Sequence, residues 1–170
     1  GFLAVCWTDF LQGLMMLIAV LLVPAIICVL NGGFAPTIDA MNQVNPYLMN
    51  LFTNASTGKA ITVISIVSSL AWGLGYFGMP HILVRFMSIK NPQEIKHSRR
   101  IAMTWVILSL GASVLIAVFG RYYVMQNNIP IDDPEKIFII LVQQLFPTVI
   151  AAVLLAAVLA AIMSTADSQL

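Results

Sequence analysis

"AWGLGYFGMP", residues 71–80, sets three glycines and a proline inside an otherwise apolar, membrane-like stretch. Its middle also spells G-x-G-x-x-G through Gly73, Gly75 and Gly78. As a dinucleotide fingerprint that pattern needs a preceding strand and a following helix in a βαβ unit. No strand-like alternation flanks it, so a phosphate cradle is excluded. What remains is a helix that is either kinked or broken.

The surroundings decide the solvent. The chain is 60% hydrophobic and 9% charged, against about 25% charged in an ordinary soluble domain. Phe10 to Leu30 has Gln12 as its one strongly polar side chain, and neither Ile101–Gly120 nor Leu145–Met163 carries a charge. Each run approaches the roughly 20 apolar residues that cross a hydrocarbon core. The expectation is an all-α integral membrane protein with spans at about 5–30, 59–89, 101–125 and 147–170. No initiating Met and no signal-peptide pattern are present. The 170 residues are therefore expected to form a single transmembrane domain, an internal piece of a longer polytopic chain. Cys6 and Cys28 share the first span, about 33 Å apart along a helix, too far to pair.

Charge gives the direction. "IKNPQEIKHSRR" (89–100) holds Lys90, Lys96, Arg99 and Arg100, half of the chain's eight basic residues. By the positive-inside rule this connection is cytoplasmic, and those at 31–58 and 121–136 are outside. Both outer connections are expected to carry short helices. In the second, Asp133 can cap a helix with Pro134 at its first position, giving a short outer helix at about 134–146.

Residues 59–89 would extend about 46 Å as one helix, well beyond the hydrocarbon thickness. Glycine weakens a helix, and proline removes an N–H and clashes with the preceding turn. A proline kink with glycines for close helix packing is one reading. The preferred one is a discontinuous helix lining a solute site, as transporters build at the midplane. The outer half, ending near Trp72 and Gly73, offers carbonyls and a negative dipole end; the inner half, from Pro80, offers N–H groups and a positive end. A zwitterion could bridge them, with Trp72 and Tyr76 as walls.

Ser164 and Thr165 suit a hard cation, since their hydroxyls lie one turn from the Ala161 carbonyl. The alternative is that such hydroxyls bond back to their own helix. Asp9 is either half of a capping box with Gln12 or an ionisable group in a coupling or gating position. Arg85 either snorkels to headgroups or serves the inner pathway. No Cys/His cluster points to another metal, no nucleophile–base motif to an enzyme, and no filter-like repeat to a channel.

"WGLGYFGMPHILVRFMS" (72–88), "CWTDFLQGLMM" (6–16) and "AAIMSTADSQL" (160–170) together resemble the sodium/solute symporter family, nearest its proline-transporting members. The likeness runs through the chain in order. It implies a fragment of a LeuT-like core of two inverted five-helix repeats, holding the last helix of the first and the first three of the second. It implies a substrate site including Trp72, Tyr76 and Pro80, which the backbone reading extends to Gly75 and Gly78. It implies a sodium site including Ser164, Thr165 and the Ala161 carbonyl, completed by the first helix of the core. Ala166 and Asp167 stand where the proline-transporting members have other small or uncharged residues. The resulting expectation is a sodium-coupled symporter of the bacterial inner membrane, importing a small amino acid, proline in the first place. Its partners are that solute and membrane lipid, with no nucleic acid. A solute-sensing membrane domain of a signalling kinase is the alternative.

Overall fold

The computed structural model describes residues 2–75 and 78–169. In chain order the helices are α1 (Phe2–Leu30), α2 (Phe34–Val44), α3 (Val63–Gly75), α4 (Pro80–Met87), α5 (Glu94–Gln126), α6 (Ile137–Leu145) and α7 (Thr148–Gln169). α1, α5 and α7 are long and apolar enough to cross a membrane. The chain divides into two compact units, Gly1–Thr37 with Thr104–Leu170, and Ile38–Met103.

The first unit is built on α1 against α7. Ala19, Val23 and Ile27 form the buried stripe of α1, and Ala151, Leu154, Ala157 and Ala160 that of α7. The spacings of four and three residues keep each set on one helix face. Alanines let two backbones approach closely, which is how helices associate in lipid. The opposite faces are apolar and exposed: Leu14, Ile18, Val153 and Leu159 among them. In water that would be a liability, and in a membrane such faces meet lipid or neighbouring helices.

α1 stops at a pair of glycines. Gly33 N donates to Cys28 O at 2.8 Å and Gly32 N to Val29 O at 3.1 Å, the two bonds of a Schellman ending. Gly32 takes φ +85° and Gly33 φ +116°, a region that side chains with a Cβ avoid. The turn feeds α2, where fully buried Thr37 bonds back to Gly33 O at 2.8 Å. Asn31, in the same turn, donates from Nδ2 to Phe119 O at 3.3 Å. At the other end of the pair, a Cβ on Gly13 would sit 3.3 Å from the Trp105 ring. Early residues meet early ones and late meet late, so α1 and α5 run parallel.

α6 closes over α5 at Gly120, where a Cβ would lie only 2.5 Å from Leu141 Cδ1. Asp133 accepts from Glu135 N at 3.0 Å and Pro134 opens a 3-10 turn that leads into α6. Pro147 ends that helix and α7 follows at Thr148.

Two details differ from the sequence reading. α5 begins at Glu94, not near 101, because nothing in 94–100 breaks a helix and the charged turns are simply solvated. α1 begins at Phe2, which puts Asp9 well inside the helix. The capping-box reading of Asp9 with Gln12 therefore falls, since a cap must stand at the helix start. The apolar residues ahead of Asp9 continue the helix, and none of them breaks it.

Candidate solute and cation sites

The helical run is interrupted immediately ahead of Pro80. α3 ends at Gly75 and α4 starts with Pro80 at its first position, behind Met79 in extended conformation (φ −72°, ψ 122°). Proline is pre-set for that position, where its missing N–H costs nothing. Met79 gives no side-chain cap to α4; Ile82 N and Leu83 N both turn back to Met79 O at 3.1 Å. The two pieces have 13 and 8 residues, about 20 Å and 12 Å of helix. Neither piece spans alone, and the two with their connection are long enough to do so.

The glycines act differently from the expectation of a helix end near Gly73. Gly73 and Gly75 lie within α3, and a Cβ on either, or on Gly78, would meet nothing within 4 Å. Trp72 stands in the last turn of α3, 73% exposed. Tyr76 lies outside the described residues. Arg85 sits in the last turn of α4, where a cation complements the carbonyl end of the helix dipole.

On α7, Thr165 Oγ1 donates to Ala161 O at 3.0 Å. The bond brings two of the three predicted cation ligands together on one turn. It is also the back-bond of the alternative reading. The two are chemically compatible, because a hydroxyl that gives its hydrogen to a carbonyl keeps its lone pairs for a cation. Ser164, half-buried, neighbours Thr165 on the same helix.

On α1, one oxygen of half-buried Asp9 is sequestered from solvent, and so is Gln12 Oε1. Gln12 Oε1 has no hydrogen-bond partner among the described residues. The sequence reading gave Gln12 no role beyond the cap. Its signal was its isolation, as the one strongly polar side chain between Phe10 and Leu30.

These features define an all-helical, multi-pass membrane protein with an interrupted helix and an oxygen-rich turn. The chain belongs to the sodium:solute symporter family, whose model matches residues 1–170. It is 49% identical over 170 residues to the osmoregulated proline transporter OpuE of Bacillus subtilis, and 48% identical to that organism's high-affinity proline transporter PutP. It is 45% identical over 171 residues to sodium/proline symporter 2 of Staphylococcus saprophyticus. Each match covers all of this chain and 33%, 35% and 32% of the respective relative. The chain thus spans about a third of the length of the curated relatives it matches. No solved structure matches it. The localisation that follows is the bacterial plasma membrane.

Proposed function

We propose that this chain forms part of a sodium-coupled symporter that imports proline by alternating access. The observation that carries the reading is extended Met79 ahead of Pro80, which interrupts an otherwise apolar segment. Backbone opened at membrane depth has to be satisfied by protein, water or solute. The carbonyl end of α3 favours the amino group of a zwitterion, and the N–H end of α4 its carboxylate. Trp72 and Tyr76 flank the imino acid's ring, with Gly75 and Gly78 keeping the space beside the backbone open. Proline as the solute comes from the relatives, which are named for it.

Sodium, as co-transported cargo, is held by Ala161 O, Ser164 Oγ and Thr165 Oγ1, completed by a LeuT-like core's other helices. Binding there favours the solute-accepting state, an equilibrium coupling between two sites. Asp9, an acid with a sequestered oxygen in a membrane helix, takes a coupling role on the inner side. Arg85 stands at the inner end of the same pathway. The parallel run of α1 and α5 supports the crossing pattern: a chain that leaves the membrane at the end of α1 must return once before α5 begins. Only α3 with α4 supplies that return.

Uptake is the direct test. Vesicles carrying the full-length protein should accumulate proline against its gradient only when sodium is high outside. Binding without accumulation would point instead to the solute-sensing domain of a signalling kinase.

Topology is checked separately. A cysteine at Gln93 or Ser98 should react with an impermeant thiol reagent only from the cytoplasm, and one at Asn128 only from outside. The opposite pattern would overturn the direction of every helix above.

A further inference from the structure

We propose that the elbow between α4 and α5 is a binding site for an anionic phospholipid of the cytoplasmic leaflet. The elbow encloses a cleft of about 480 Å³, lined by Arg85 and Phe86 of α4, by Ile89 in the connection after it, and by Ile95, Ser98, Arg99 and Met103 of α5. Ile95, Ser98, Arg99 and Met103 follow helical spacing, so they share one face of α5. The cleft mixes two arginines with apolar side chains. Arg99 is at the end of the charged segment of α5, and the uncharged run Ile101–Gly120 begins just beyond it. Met103 lies one turn deeper, about 6 Å toward the hydrocarbon. The cleft therefore sets two guanidinium groups among apolar side chains near the level where headgroups meet acyl chains.

Charge specifies the headgroup. Residues 89–100 contain four basic residues and one acid, Glu94, which accepts from Asn91 Nδ2 at 3.5 Å. Anionic lipids give the cytoplasmic leaflet a negative surface that attracts basic segments beside a membrane helix. Guanidinium groups match phosphate oxygens as two-pronged donors, and the Ser98 hydroxyl adds another donor on the same face. Phe86, Ile89 and Met103 give an acyl chain a wall that a free phosphate would not need. The inference rests on the cytoplasmic placement of this elbow and is independent of which solute is carried.

The test is native mass spectrometry of the purified full-length transporter, titrated with dioleoylphosphatidylglycerol. Wild type should bind it more tightly than dioleoylphosphatidylcholine. Arg99→Gln should weaken the interaction about fivefold, as expected for losing one basic contact at an anionic headgroup. Arg85→Gln combined with Arg99→Gln should weaken it further. Arg99→Lys should retain most of the affinity, and Lys59→Gln, in an outer connection, all of it. The lysine variant also shows that the fold tolerates change at this position. Equal affinity in wild type and the double variant would overturn the proposal. So would equal binding of the two lipids, or displacement of phosphatidylglycerol by millimolar inorganic phosphate, which would mark a bare anion site.

Discussion

Thr165→Val should lower the apparent sodium affinity of proline uptake about tenfold or more, with little change in the amount of protein inserted. Valine keeps the volume and β-branch of threonine and removes only the hydroxyl. A group that bonds to an ion contributes roughly 1.5–3 kcal/mol, enough for that loss. Thr165 lies outside the buried alanine stripe of α7, and the matching volume of valine keeps the change in packing small. Ser164→Ala should act in the same direction. Thr165→Ser, which restores the hydroxyl, should recover most of the affinity. The back-bond to Ala161 O at 3.0 Å makes the measurement decisive. If that bond is the hydroxyl's whole role, sodium dependence stays as in wild type in both Thr165→Val and Ser164→Ala.

The residues differ in how much of this was legible in the sequence. Punctuation with one physical meaning was readable. Pro80 opens α4 because a proline's missing N–H is harmless only at a helix start, and Asp133 with Pro134 opens the turn before α6 for the same reason. The apolar runs showed α1, α5 and α7 because a bilayer demands that length of uncharged helix. Glycine was ambiguous. Gly73 stays helical and α3 continues to Gly75, since a single helical glycine costs only about 1 kcal/mol. Gly120 carried no local signal at all. Its need for a bare backbone comes from Leu141, more than twenty residues later. Asp9 was left with two readings because its spacing to Gln12 fits a cap; the helical residues before it remove that one. The cation turn on α7 was readable as a pattern of oxygens. The cleft between Arg85 and Arg99 depends on how two helices meet, which no periodicity reveals.

The broken helix gives the largest expected effect and the sharpest test. Trp72→Ala should raise the half-saturating proline concentration about thirtyfold, the loss of roughly 2 kcal/mol expected when an aromatic anchor leaves a binding site. The amount of inserted, folded protein, measured alongside, separates a loss of binding from a loss of fold. Tyr76→Ala should behave alike if the two rings flank one solute. The glycines then separate a site from a kink. A Cβ at Gly75 or Gly78 meets no atom within 4 Å, so Gly75→Ala and Gly78→Ala encounter no clash with the described residues. Loss of proline affinity in those variants would therefore report a ligand in the space the methyl enters. A kink predicts the reverse pattern: aromatic substitutions change stability alone, and the alanine variants bind normally. Equilibrium proline binding at saturating sodium, measured on purified folded protein, distinguishes the two. Wild-type affinity in Trp72→Ala and Tyr76→Ala would move the solute away from the break and leave the two rings as packing groups.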